Sequence, residues 1–322
     1  MANTFFANGF SQYQGTGSLP TYEQTQLAIS TSNATPIFFG DPVTQAACTT
    51  GLGTGYVTQG YGPVTLTVAA TAITTNATTG ALTVTFTAAT STSGNLPASP
   101  NTWAPPVGST LIIQGATMTS GNLNGTFTVT SSTTGTAVCA NASTTINATS
   151  TASGTVTVVT PIAGIFVGCR YLSVSQKKPI WQNYWPGSDA NGDVTAYVIT
   201  DPLAQFIVGT GNSNTTATPV GFANIGQNIG FNYSQSGLTG LTNGNVANGL
   251  STMFADQYSL IANSAAGPAV NAFLPFRIVA LANYVPGALS PLQSINGNDW
   301  TTAYNRIIVG FNNAMPRTFF GI

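Results

Sequence analysis

From Pro42 to Cys169 the chain runs 128 residues without an Asp, Glu, Lys or Arg, and it contains no histidine at all. Globular proteins are about one quarter charged; this one is 4% charged. Without histidine, Ser-His-Asp and Cys-His arrangements cannot be assembled. Glu23 is the sole glutamate, so a catalytic carboxylate pair would have to come from Asp41, Asp189, Asp193, Asp201, Asp256 and Asp299. These sit beside turn formers, as in Gly40-Asp41-Pro42, Asn191-Gly192-Asp193 and Asp201-Pro202. Short acidic side chains in such places satisfy backbone donors. The expectation is a protein that is not an enzyme and uses no cofactor.

Other absences narrow the class further. Cys48, Cys139 and Cys169 are widely separated, odd in number and in no CxxC pair. That argues against a disulfide framework, and against a zinc site, which would need four ligands with histidine missing. Six basic and seven acidic residues leave a net charge of −1, too little field to attract nucleic acid. The first ten residues have neither a basic n-region nor an apolar h-region, and no run of 18 apolar residues occurs. Neither a secretory signal nor a membrane span is expected, and assembly in a cytoplasm follows. The N-x-S/T sequons at Asn33, Asn76, Asn124, Asn141, Asn147, Asn214 and Asn232 then read as a by-product of an Asn/Thr-rich composition.

What the chain does contain is Thr, Ser, Asn and Gly interleaved with aliphatics. Hydrophobic residues make up 43% of it, ample for a buried core. Val64-Thr-Leu-Thr-Val, Ala81-Leu-Thr-Val-Thr-Phe-Thr, Gly125-Thr-Phe-Thr-Val-Thr and Thr155-Val-Thr-Val-Val alternate at period two. Segments at Leu27, Pro36, Leu111, Ile162, Val194, Gln205, Phe276 and Arg306 also read as strands, with Asn/Gly/Pro turns between them. Residues 251–261 are ambiguous and read as extended. The class is all-β. Sheet surfaces kept wet by hydroxyls and amides pack without desolvating ions, so their contacts respond little to salt or pH.

Composition divides the 322 residues into a barrel-like host domain (1–61 and 161–322) and a charge-free, Thr-rich insertion (62–160). Six or seven short strands in the insertion suit a small β-sandwich, and insertions succeed at loop tips whose ends lie close together. The final strand at Arg306 is placed to close the host barrel. An N-terminal arm, 1–20, holds Phe5, Phe6, Phe10 and Tyr13 without a regular period. Its rings need a partner surface, either a neighbouring subunit or the chain's own barrel.

Few motifs offer chemistry. Asp189-Ala-Asn-Gly-Asp193 copies the start of a calcium loop, but Val194 stands where Gly is required and Thr200 where the bidentate Glu belongs. A hairpin turn at Asn191-Gly192 is the better reading. Gly51-Leu-Gly-Thr-Gly lacks a following helix and a Gly-Lys-Ser/Thr, so it is a flexible turn. Arg170, Lys177 and Lys178 concentrate half the positive charge beside Tyr171, Trp181, Tyr184 and Trp185. Contact with an acidic protein surface suits this cluster better than single-stranded nucleic acid; a solvated loop is the bland alternative. The candidate assembly contacts are Phe5, Phe6, Phe10, Tyr13, Arg170, Lys177, Lys178, Trp181 and Trp185.

Four segments, taken in order, carry a resemblance. They are Thr35-Pro-Ile-Phe-Phe-Gly-Asp-Pro-Val, Pro161-Ile-Ala-Gly-Ile-Phe-Val-Gly-Cys-Arg-Tyr-Leu, Lys177-Lys-Pro-Ile-Trp-Gln-Asn-Tyr-Trp-Pro-Gly and Asp193-Val-Thr-Ala-Tyr-Val-Ile-Thr-Asp-Pro. Together the chain resembles tailed-bacteriophage proteins that decorate or cement the capsid. The resemblance implies a non-catalytic β-barrel body on the outer capsid surface, bound to the major capsid protein and to copies of itself, with a trimer expected. The stretch from Val107 through Gly135 is similar to immunoglobulin-like sandwiches appended to phage structural proteins. Alternatives are a tail or head-fibre component, or a carbohydrate-binding adhesive module with Trp103 and Tyr56 as solvent-facing platforms. No long spine helix of a major capsid protein is present.

Overall fold

A computed structural model describes residues 3, 5, 8–14, 24–45, 55–76, 78–86, 90–93, 103–140, 148–237, 242–261, 270–282 and 298–314. The architecture is all-β. Four strands precede the charge-free stretch: β1 (Ser11–Gln14), β2 (Gln24–Ile29), β3 (Pro42–Gln45) and β4 (Val57–Gln59). The stretch itself contributes β5 (Val64–Val68), β6 (Ile73–Asn76), β7 (Ala81–Thr85), β8 (Thr90–Ser93), β9 (Thr110–Gln114), β10 (Gly125–Thr133), β11 (Thr136–Ala140) and β12 (Gly154–Val159). Then come β13 (Gly164–Leu172), β14 (Pro179–Gln182), β15 (Val194–Ile199), β16 (Gln205–Gly211), β17 (Asn228–Asn232), β18 (Gly244–Asn245), β19 (Leu250–Ser251), β20 (Phe254–Asp256), β21 (Phe276–Leu281) and β22 (Arg306–Phe311).

The charge-free strands form one eight-stranded sheet in the order β6-β7-β11-β10-β9-β12-β5-β8. Strand β10 serves two partners: 125–128 pair with β9, and the residues from Val129 pair with β11 beyond a bulge between Val129 and Ser131. A bulge bends its strand and raises the local twist, so the two halves fold over a shared core. Ile73, Leu82, Val84, Ala137 and Cys139 from one half meet Val64, Leu66, Val68, Leu111, Ile113, Val156 and Val158 from the other. Along β5 the valines and Leu66 are buried while the intervening threonines are half-exposed, the outcome that period-two patterning requires. Among the described strands, none of this sheet pairs with a strand outside it.

The flanks build two curled sheets rather than one barrel. In the first, pairings run in a ring, β16-β20-β17-β21-β22 and back to β16, with β1 added along β16. The ring encloses Phe206, Val208, Ile229, Phe231, Phe276, Ile278, Ile307, Val309 and Phe311. Strand β22 closes it by pairing with β16. In the second sheet the order is β2-β15-β13-β3-β4, and Tyr56, next to β4, bridges Ala28 of β2 and brings the sheet round on itself. Its core is Ile29, Val43, Val57, Phe166, Tyr171, Trp185, Ala196 and Val198. The short strand β14 pairs only with the second half of β13.

Two local expectations are corrected. The segment at Pro36 forms isolated bridges at Ile37 and Phe39 instead of a strand, because Asp41 curls it back. The Asp41 carboxylate accepts the Phe38 N–H at 2.8 Å, and the Asp41 N–H donates to Phe38 O at 3.0 Å. Residues 251–261 are extended only as far as Asp256. A single helical turn, α1 (Tyr258–Ile261), follows. The Asp256 side chain accepts the Tyr258 N–H and so initiates that turn. At the seam between sandwich and ring, a Cβ on Gly62 would collide with the Phe231 carbonyl, so close backbone approach there requires glycine.

Candidate interaction surface

Strand β13 alternates between two environments. Cys169 and Tyr171 face the core of the second ring, whereas Arg170 and Leu172 face solvent. Register places Arg170 opposite Trp181 and Leu172 opposite Pro179 on β14. The Arg170 guanidinium accordingly lies 4.7 Å from the Trp181 ring centroid, the arrangement in which a cation meets the negative face of an indole. Trp181 is 62% exposed, Val174 56% and Leu172 43%. Lys177 and Lys178 stand exposed at the turn between the strands. The structure thus brings Arg170, Lys177, Lys178 and Trp181 together on one hairpin.

Asp189 shapes that turn from outside. Its carboxylate accepts the Ser173 hydroxyl at 2.5 Å, the Ser175 N–H at 2.8 Å and the Ser175 hydroxyl at 2.9 Å, and its carbonyl accepts the Val174 N–H at 2.8 Å. These donors, the Ser173 hydroxyl foremost, hold the Asp189 carboxyl below the usual carboxylate range. Lys177 and Asp189 both take left-handed backbone, with φ of 54° and 75°, a conformation costly for non-glycine residues unless the surroundings hold it. The expected hairpin turn at Asn191-Gly192 is therefore corrected. Residues 183–193 cross the end of β13 and join strands on its two sides, so the calcium-like sequence is a clamp on a neighbouring loop.

Other candidates lie elsewhere. Phe10 is buried and stacked 4.3 Å from Phe276, and Phe5 packs edge-on against Phe254 and Tyr304. Of the two expectations for the arm, packing on the chain's own barrel is the one realised by these rings. Phe6 lies outside the described residues, and Tyr13 is exposed on β1. Trp185 is corrected from contact to core: it is fully buried against Tyr171 and its indole N–H donates to Asn33 O at 3.1 Å. Trp103 is buried within the sandwich and is no solvent-facing platform. Tyr56 is half-buried, its phenol donating to Asp193 at 2.5 Å.

The described thiols and the buried carboxylates Asp41, Asp201 and Asp256 are held within the fold. Burial pushes the Cys139 and Cys169 thiols up to about 12, the opposite of an activated nucleophile. Asp201 receives the Leu203 N–H, and Asp256 receives Ser213 through both its N–H and its hydroxyl. Asp41 is fully buried, with Gln59 Nε2 donating at 2.7 Å, and its Oδ1 has no hydrogen-bond partner. Desolvation pushes this carboxyl up to about 7. Among the described residues no three His, Cys, Asp or Glu side chains converge as a metal site would require. A pocket of about 90 Å³ beside β1 is lined by Asn8, Ser11, Ile207 and Arg306, small against the usual ligand cavity. No described helix is long and apolar enough to cross a membrane.

Sequence reasoning found the hairpin cluster but missed how charge is divided over the molecule. The described bases, Arg170, Lys177, Lys178, Arg277 and Arg306, are all exposed. Of the described acids, Asp41, Asp201, Asp256 and Asp299 are buried, Asp189 is engaged in its turn, and Asp193 alone is exposed. Turn formers beside the aspartates were the only sequence signal for this. Compared with known protein families, with curated proteins and with solved structures, the chain matches none.

Proposed function

We propose that this chain is a structural assembly protein rather than an enzyme, its two described thiols being buried and all its described carboxylates but Asp193 being engaged in turns and cores. Within that class, the reading best supported is a capsid decoration protein, attached to the outer shell of a tailed bacteriophage through its subunits and the major capsid protein. One observation carries this reading. The four sequence segments that resemble such proteins, scattered over 35–202, converge on one ring: Ile37 bridges Trp185, and β3, β14 and β15 all pair with β13. Segments that resemble such proteins and together build the core of one ring, with the exposed Arg170–Trp181 pair on its outside, support one structural unit that presents a contact hairpin.

Co-sedimentation with intact particles tests the proposal. The chain is expected to travel with full capsids and with tailless heads in equal stoichiometry. Recovery with tails alone would favour the fibre alternative, and recovery only as free protein would overturn the assembly reading.

A further inference from the structure

We infer that the β13–β14 hairpin is a preformed cationic prong for an acidic, partly apolar protein surface, held in shape by Asp189. The inference rests on the assembly reading above and adds the chemistry of the partner. Its first support is the division of charge: four of the six described carboxylates are buried while the described bases face solvent, three of them on this hairpin. At contact range the hairpin is therefore cationic although the whole chain is near neutral. Its second support is composition. Arg170 and Trp181 are types that dominate binding energy in interfaces, and exposed Leu172 and Val174 add aliphatic surface beside them.

Other occupants fit less well. Single-stranded nucleic acid is held by successive aromatic platforms along a basic groove, and this hairpin offers one exposed ring. A second copy of the chain exposes Asp193 alone among the described carboxylates, and that group already accepts the Tyr56 phenol, too little to match three cations. An acidic surface of another protein meets both the charge and the apolar flank. Preorganisation is the contribution of Asp189. Ordering a loop on binding costs affinity, and the bonds from Asp189 to Ser173, Val174 and Ser175 fix the turn beforehand.

The test uses the full chain and an immobilised random glutamate–tyrosine copolymer as the acidic, aromatic probe, with oligothymidylate of matched charge as comparator. The wild type is expected to bind the copolymer several-fold more tightly than the oligonucleotide. Lys177→Glu with Lys178→Glu should weaken it by about tenfold or more at low salt, and Trp181→Ala by about fivefold at any salt. Asp189→Asn separates this proposal from simple charge attraction. It removes a negative charge, so charge alone predicts tighter binding, whereas loss of the preformed turn predicts roughly threefold weaker binding with an unchanged salt slope. Circular dichroism should be unaltered in all variants, with Tm lower by no more than about 2–4 °C where Trp181 or Asp189 is changed.

Absence of copolymer binding, equal or tighter binding of oligothymidylate, or tighter binding by Asp189→Asn would each overturn the proposal. If the copolymer fails while the chain still sediments with particles, the prong falls and the assembly reading stands. If the copolymer binds but particles lack the chain, the assembly reading falls and the prong remains.

Discussion

Between buried Val64, Leu66 and Val68 the sandwich places threonines, and its sheet contains no acid or base from end to end. The two flanking rings use the same alternation, but thread buried aspartates through their turns and set every described base on the outside. Thr hydroxyls on the sandwich need no counter-ion and do not titrate between pH 2 and 12. The buried carboxylates of the rings make strong, directional bonds to backbone N–H groups, at the cost of desolvating an ionisable group. One polypeptide thus holds a region without charged side chains beside regions built on buried carboxylates.

The largest expected effect comes from separating the two. Excising 64–159 and joining Pro63 to Thr160 through a short Gly linker should leave rings that still unfold cooperatively by circular dichroism. The excised sandwich, expressed alone, should fold as well, since its buried core is drawn from its own strands. An unfolded remainder would show that the seam at Gly62 and Phe231 is essential to both. Next in size are Trp103→Ala in the sandwich and Phe10→Ala in the ring, each expected to cost about 3–5 kcal/mol. Hydrogen exchange should accelerate in the altered region while the other keeps its protection; a uniform increase would mean a single cooperative unit.

A pH titration sharpens the contrast. The Asp41 carboxyl is raised to about 7 by burial, from an ordinary value of 3.8. A folded value above the unfolded one means the native state holds the proton, so this contribution is complete below about pH 4 and lost as pH rises to about 7. Denaturant titrations should show the rings losing at most about 1.4 kcal/mol per pH unit across that window. Asp41→Asn should flatten the slope, and the excised sandwich should show none. An identical slope in wild type and Asp41→Asn would assign the effect to another group. Smallest is Arg170→Met, which removes the cation over Trp181 and should lower stability by only about 0.5–1 kcal/mol.

Much of the strand map was legible because apolar positions alternate. Val64-Thr-Leu-Thr-Val and Val194-Thr-Ala-Tyr-Val-Ile became β5 and β15 with their expected edges. Strands β6, β8 and β14 were not, since Ile73-Thr-Thr-Asn and Thr90-Ser-Thr-Ser have too little apolar pattern and owe their form to pairing with neighbours. The flanks as two rings were equally hidden, because which strands pair is a long-range matter. At the site, the basic and aromatic cluster was visible, but not that Trp181 faces solvent while Trp185, four residues on, fills the core. The chain leaves β14 after Gln182 and turns inward, a change of direction that spacing does not encode. Phe10 and Tyr13 divide in the same way across the start of β1.

We propose that this protein sits on the outside of a capsid, and electron cryomicroscopy of purified particles would locate it. Ordered copies on the outer shell surface are expected, with the β13–β14 hairpin against an acidic patch of the major capsid protein. Copies confined to the tail, or particles without the chain, would contradict it.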